Sequence, residues 1–346
     1  MKNTKFYLQA AMLLLPAFLS AQNVIPEPTQ YRPAKGQFVL TAAETKAFEA
    51  QDVLPGRVVQ CVISGSTPMD ADEAYHLKIT PDSVFIQSAT ATGAFRGKET
   101  LKQLLRSGKG TAKACVINDA PRYAWRGFML DESRHFFGKK KVKQLLDIMA
   151  SLRLNVFHWH LTDEPGWRIE IKKYPLLTQI GAKGNWHDPD APATFYTQDD
   201  IKEIVAYAAA RHIMVVPEFD MPGHATAACR AYPELSGGGE GRWKDFTFHP
   251  CKEETFRFIS DVLDELITLF PSPYIHIGGD EVHFGNQEWF TDPQIQQFIK
   301  DKQLMNETGL EQYFVRRVAD IIAAKGKTMI GWDEIVDAGV SPDKAV

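Results

Sequence analysis

Extended basic runs, C-x-x-C or zinc-like cysteine spacings and long apolar stretches are all missing from this sequence, and each absence removes a class of function. The 346 residues carry 39 Lys and Arg against 43 Asp and Glu, with no basic run of the kind that tracks nucleic acid or an anionic membrane. Cysteine is scarce, and Cys61, Cys115, Cys229 and Cys251 show neither C-x-x-C nor zinc-like spacing, so a thiolate metal centre is not indicated. Cys229 and Cys251 flank a loop rich in glycine (237–241); a disulfide closing that loop is the favoured arrangement, two buried free thiols the other. The apolar run at 10–19 is too short to span a bilayer.

That run has Lys2 and Lys5 ahead of it and Ser20-Ala21-Gln22 behind it, the layout of a secretory signal peptide over residues 1–21. The expectation is export to a periplasm or the extracellular medium, with no membrane anchor. The segment holds two lysines and no acid, so its removal leaves 37 basic residues against 43 acidic ones. A neutral or polar ligand suits that balance better than a polyanion.

What remains is an ordinary globular composition, 44% hydrophobic and 24% charged. Residues 22–120 read as a small α+β domain, with strands at 37–40, 58–63, 75–79, 84–87 and 114–117 and a helix over 94–106 that stops at Gly108. From 121 to 346 long helical patterns alternate with short apolar strands, the βα pattern of a parallel sheet. Strands are expected at 127–130, 155–161, 213–216, 274–277 and 328–331. Helical faces are marked by Val142, Leu146 and Met149, by Ile201, Ile204 and Ala208, by Phe256 to Phe270, and by Leu310 to Ile322.

Each of these five strands ends in acidic residues: Asp131, Asp163 and Glu164, Glu218 and Asp220, Asp280 and Glu281, Asp333 and Glu334. In a parallel α/β barrel the C-terminal strand ends share one rim, where such folds carry their sites. The stretch 274–289 is the centre of this pattern. Gly278 and Gly279 allow a tight turn, and two adjacent carboxylates follow that cannot both ionise freely, so one pKa should rise to suit a general acid while the other stays charged. Trp159, Trp167, Trp289 and Trp332 nearby suit a ring-shaped, partly apolar ligand such as a sugar.

Five segments together resemble the family 20 glycoside hydrolases, the β-N-acetylhexosaminidases: Arg126-Gly127 to Asp131 with Ser133-Arg134-His135-Phe136; His158 to Asp163 with Gly166-Trp167-Arg168; Pro217-Glu218 to Pro222-Gly223-His224; Gly278-Gly279-Asp280-Glu281; and Gly331 to Glu334. The resemblance implies a (β/α)8-type TIM barrel behind an accessory N-terminal domain. It implies a retaining reaction in which the substrate's 2-acetamido oxygen, not an enzyme group, attacks the anomeric carbon to give an oxazolinium ion. Glu281 would be the general acid and base, and Asp280 would hold the acetamido N–H. Arg134 and Trp332 would bind the nonreducing-end sugar, with Asp163 and His224 orienting the carboxylate pair. The expected partners are glycans ending in N-acetylhexosamine, with no cofactor and no metal; whether GlcNAc or GalNAc is preferred and the oligomeric state stay open.

The family's barrel has eight strands, and five are read here before Val346. The expectation is therefore a truncated family member, with two strand edges exposed and without the tyrosine and further tryptophans that enclose the acetamido group in the family. Two alternatives follow. One is a carbohydrate-binding remnant without catalysis. The other is a metal-dependent hydrolase built on His158 and His160, which share a strand face, with Glu218, Asp220 and His224 available.

Overall fold

The computed structural model describes residues 24–51, 54, 56–62 and 73–346. The signal-peptide segment and Ile63 lie outside them. The chain divides into two units between Arg122 and Tyr123.

In the first unit, strands β1 (Gln30–Val39), β2 (Val58–Val62), β3 (Tyr75–Ile79), β4 (Val84–Ser88) and β5 (Thr111–Asp119) form a sheet in the order β1-β5-β3-β4-β2, with helices α1 (Ala42–Gln51) and α2 (Ala91–Ser107). Alternation along β3 and β4 buries Tyr75, Leu77 and Ile79 with Val84 and Ile86, and Leu101, Leu104 and Leu105 of α2 join the same core. Thr90 caps α2 by accepting from Gly93 N at 3.0 Å. Helix α1, which the sequence pattern did not announce, has a single large apolar side chain, Phe48, in that core.

In the second unit the five expected strands are present as β6 (Gly127–Asp131), β7 (Val156–His160), β8 (Met214–Glu218), β9 (Tyr274–His276) and β10 (Thr328–Ile330), all parallel and side by side in chain order. Between them run α3 (Lys139–Ser151), α4 (Gln198–Ala209), α5 (Thr226–Ala231), α6 (Glu253–Leu269), α7 (Pro293–Asp301) and α8 (Glu307–Ala324). The helices bury the faces their spacing marks: Val142, Leu146 and Met149; Ile201 and Ile204; Phe256, Ile259, Val262 and Leu266; Leu310, Phe314 and Val318. Helices α6 and α8 meet through Phe256 and Phe314, whose ring centroids are 5.3 Å apart. No described helix is long and apolar enough to cross a membrane.

The expectation of two bare strand edges holds on one side only. Beyond β10, Met329 forms a parallel bridge with Ala345, accepting from Val346 N at 2.9 Å and donating to Lys344 O at 2.8 Å. At the other end β6 leaves Phe128 and Met129 exposed.

The expected Cys229–Cys251 disulfide is not formed; among the described residues all four cysteines are free thiols. Cys229 is buried on α5 with its thiol directed at Thr247 O, 3.7 Å away, whereas Cys251 packs against the separate cluster of Val282, Trp289, Ile295 and Leu310. Burial pushes both thiols up, that of Cys251 to about 12, so neither is a ready thiolate.

One half-buried acid makes a stability prediction. Glu311 on α8 has its pKa raised to about 7, by burial first and by the like charge of Glu334 second. Its folded pKa exceeds its unfolded value, so its contribution is fully present below about pH 4.5 and is lost as pH rises through about 7. Glu311→Gln should therefore melt at a higher temperature than wild type at pH 8 and at nearly the same temperature at pH 4. Equal melting temperatures at pH 8 would remove this account.

Candidate active site

Because the five strands are parallel, their acidic ends lie on one side of the sheet, and the loops that follow them build a single polar cluster. Strand β6 delivers Asp131 and, in the next turn, Arg134, whose backbone N–H donates to Asp131 Oδ1 at 2.9 Å. The Arg134 guanidinium donates to Asp131 Oδ2 at 3.1 Å and lies against Asp163 Oδ2, the first acid after β7. On β7, His158 and His160 point to the same face, as alternate strand residues must. Parallel register places His160 beside Glu218 of β8, and Glu218 beside His276 of β9.

The turn after β9 holds the carboxylate pair under backbone constraint. Gly278 and Gly279 have φ of 68° and 91°, and Glu281 itself sits in the left-handed region at 55°. A β-carbon on Gly278 would lie 1.8 Å from Asp220 Oδ1, and one on Gly279 2.3 Å from Ile335 Cγ2. Glycine is thus demanded at both positions by conformation and by space. A non-glycine residue with positive φ is uncommon, and here it re-aims the Glu281 side chain, which is 45% exposed while that of Asp280 is 23% exposed.

His224, from the loop after β8, stands behind this pair. It too has positive φ, 54°. Its Nδ1 donates to Asp163 Oδ1 at 3.0 Å, and its Nε2 lies 3.6 Å from Asp280 Oδ2 and 3.5 Å from Glu281 Oε2. These last are ion-pair distances without hydrogen-bond alignment, and Nε2 has no hydrogen-bond partner. The sequence-derived residues Arg134, Asp163, His224, Asp280 and Glu281 are therefore one contiguous set.

Charges in the cluster are unequal because burial is unequal. Burial raises Asp280, and the positive charge of His224 opposes that rise. Burial also works against charge on Asp163, but hydrogen bonds to His160 and His224 outweigh it and hold the carboxylate below its ordinary range. Asp220 is driven well above that range, first by burial, and its Oδ1 has no hydrogen-bond partner. His224 rises to about 12 against its own burial, by attraction to Asp220 and hydrogen bonding to Asp163 and Glu164. The pull of Asp220 requires an ionised Asp220, which its burial disfavours, so the charge of His224 rests chiefly on Asp163.

Of the four tryptophans expected to suit a sugar, one is positioned to do so. Trp332 is half-buried at the mouth, its backbone N–H donating to Gly278 O at 2.8 Å and its ring against His276 and His158, with centroids 4.8 and 5.7 Å away. The other three are core residues. Trp159 packs between Phe157 and Tyr196, Trp167 donates its Nε1–H to Ile169 O at 2.6 Å, and Trp289 fills the Val282 cluster. Their proximity to the motifs in sequence reflects the packing that supports the rim.

The metal reading meets a chemical obstacle. The His158, Glu218 and His276 ligand atoms lie within 4.8 Å of one another. However, Glu218 Oε2 is 2.6 Å from His158 Nε2 and 2.7 Å from His160 Nδ1, closer than two ligand atoms each about 2.0–2.2 Å from one tetrahedral zinc would stand. His276 Nδ1 already accepts from Gly278 N at 3.1 Å. Glu218 is thus in direct contact with both β7 histidines, and His276 Nδ1 is engaged by the backbone.

Two buried side chains that the sequence reading left without a role brace the same loops. Arg168 donates to the carbonyls of Glu132, Ser133, Ala182 and Gly184, and Glu132 accepts from Tyr196 Oη at 2.7 Å and Phe137 N at 2.7 Å. The signal for Arg168 was its place in the Gly166-Trp167-Arg168 segment; nothing local marks it as fully buried.

Residues 123–346 match the model of the glycosyl hydrolase family 20 catalytic domain, and residues 44–120 match that of its domain 2. The chain belongs to glycosyl hydrolase family 20. A beta-hexosaminidase of Porphyromonas gingivalis is 34% identical over 98% of this chain and 48% of its own length. A beta-N-acetylhexosaminidase structure from Bacteroides fragilis aligns with TM-score 0.80 at 32% identity, covering 94% of this chain and 70% of that one. A family 20 exo beta-N-acetylglucosaminidase from Vibrio harveyi, solved with N-acetylglucosamine, aligns with TM-score 0.82 at 31% identity over 94% of this chain and 57% of that one. The chain spans about half the length of the curated relatives it matches. Its family 20 neighbours have a TIM-barrel catalytic domain with an N-terminal domain, and the five parallel strands are consistent with part of such a barrel.

Proposed function

We propose that this protein is an exo-acting β-N-acetylhexosaminidase that removes nonreducing-end GlcNAc or GalNAc from glycans by a retaining, substrate-assisted route. The observation that carries this reading is the Asp280–Glu281 pair, with His224 within 3.6 Å of both carboxylates from behind and Trp332 seated on the same turn. Glu281, the more exposed carboxyl, protonates the glycosidic oxygen as the substrate's acetamido oxygen attacks the anomeric carbon. It then takes a proton from the water that opens the oxazolinium ion. Asp280 accepts the acetamido N–H; that hydrogen bond favours its ionised form, and the carboxylate offsets the positive charge that develops on the ring. The Arg134 fork binds sugar hydroxyls, and Trp332 forms a wall of the pocket. Asp163 and His224 hold the pair in place.

A second reading is that the chain binds the sugar without turning it over. The N-terminal segment 1–21 supports export, so the substrate is proposed to be met in a periplasm or outside the cell.

The test is hydrolysis of an aryl N-acetyl-β-glucosaminide followed by proton NMR. Release of the β-anomer first, undiminished by a chelator such as EDTA, is the expected result. Binding of N-acetylglucosamine without hydrolysis would select the second reading, and loss of activity on chelation would restore the metal one.

A further inference from the structure

Beneath the residues assigned to the reaction lies a carboxylate that the mechanism above does not use. Glu218, the last residue of β8, has a fully buried side chain. Its Oε2 is 2.6 Å from His158 Nε2 and 2.7 Å from His160 Nδ1, and its Oε1 is 3.3 Å from His276 Nδ1. Neither Oε2 contact is aligned as a hydrogen bond; burial lowers the pKa of His158 while that of His160 is raised, so His160 is the charged partner of Glu218 and His158 a close neutral contact. His276 Nδ1 accepts from Gly278 N–H and has no proton to give, which leaves His158 and His160 as the partners that matter.

From His160 the contacts run outward without a break. His160 Nε2 is 2.7 Å from Asp163 Oδ2, Asp163 Oδ1 accepts from His224 Nδ1 at 3.0 Å, and His224 Nε2 faces Asp280 and Glu281. Arg134 Nη1 also lies 3.0 Å from His160 Nε2, so that nitrogen could instead accept from the guanidinium. Which role it takes is decided at the other side of the ring. With a carboxylate against each nitrogen, His160 is held in its charged, doubly protonated form and its pKa stands well above the ordinary value, although burial opposes the charge. An uncharged group at position 218 would free Nε2 to turn acceptor toward Arg134 and release Asp163.

We propose that Glu218 is a positioning residue for this reaction: by holding His160 through Nδ1 it fixes Asp163, and through Asp163 it fixes the His224 ring against Asp280 and Glu281. The proposal rests on the hydrolase reading. It also gives a reason for a buried carboxylate among three histidines at the base of the site: a lone buried charge is costly, and here it is paired on the side facing the site.

The experiment is a double-mutant cycle on the full chain, with kcat and KM measured for an aryl N-acetyl-β-glucosaminide. Glu218→Gln should lower kcat about 100-fold, the scale of a misplacement of about 1 Å, with KM within about threefold of wild type. Glu218→Asp, which keeps the charge, should recover part of the loss. His160→Gln should lose a similar factor, and the double variant should be no worse than either single one, because both act through one path. Wild-type kcat in Glu218→Gln, additive losses in the double variant, or a fall that follows melting temperature alone would overturn the proposal. If wild type cleaves no N-acetylhexosaminide, the hydrolase reading fails separately, and imidazole NMR then decides. The downfield ring N–H signals of both His160 and His224 should shift or vanish in Glu218→Gln, and their survival would also overturn it.

Discussion

Glu281→Gln is expected to lower kcat by about 10³-fold or more while leaving KM nearly unchanged, since general acid catalysis is worth roughly 10²–10⁴-fold and this residue is proposed to act in both steps. The amide keeps the shape of the carboxyl but has no proton to give and no base to receive one. The loss should depend on the leaving group. A nitrophenolate needs little protonation, so its release should suffer less than that of a sugar alkoxide, and the ratio of the two defects reports the acid role directly. Asp280→Asn should be different: it removes the charge that faces the acetamido group and should slow both substrates equally. Equal defects for both leaving groups in Glu281→Gln would place the acid elsewhere, and an unimpaired variant would remove Glu281 from the mechanism.

Gly278→Ala is expected to destabilise the protein by about 3 kcal/mol or more and to abolish activity. Two costs combine. An alanine at φ 68° pays about 1–2 kcal/mol for the left-handed conformation, and its β-carbon would lie 1.8 Å from Asp220 Oδ1 and 2.3 Å from Asp220 Cγ. Asp220 is buried, so the backbone carrying Asp280 and Glu281 has to shift. The same protein contains its own control. Gly326, at φ 73° just past α8, has nothing within 4 Å of where its β-carbon would go. Gly326→Ala should cost only the conformational part, about 1–2 kcal/mol, with full activity retained. The difference in denaturation midpoint between the two variants isolates the clash. If the two alanines cost the same, the close approach of Gly278 and Asp220 is not part of the folded state.

Much of this architecture is legible in the sequence because period and spacing are local signals. The strands of the second unit and the faces of α3, α4, α6 and α8 follow from where Val, Leu, Ile and Phe recur. Helices α1, α5 and α7 escaped the same reading for different reasons. Helix α1 offers only Phe48 to a core, α5 is six residues of which three are alanine, and α7 announces itself instead by its cap. There Asp292 Oδ1 accepts from Gln294 N at 2.7 Å and Ile295 N at 3.2 Å, with Pro293 in the first turn.

The site divides along the same line. Gly-Gly-Asp-Glu at a strand end, and an acid after each neighbouring strand, are facts of the chain, and they point to Asp280, Glu281 and Asp163 at one mouth; Arg134 and His224 were singled out by the family resemblance. Burial is not a fact of the chain. The sequence could not separate Trp332 at the mouth from Trp159, Trp167 and Trp289 in the core, because a tryptophan's neighbours come from remote helices. It could not say that Cys229 and Cys251 face different clusters, or that Asp220 sits where a β-carbon at position 278 would go. Nor could it pick Glu218 from the other strand-end acids. That distinction arises only when β7, β8 and β9 lie side by side in register, which brings three histidines onto one buried carboxylate and turns an apolar strand's last residue into the base of the site. The sequence by itself determined which residues reach the mouth, through the fixed direction of parallel strands; the tertiary structure alone decided which of them are charged, paired or buried there, since those depend on what the rest of the chain packs around them.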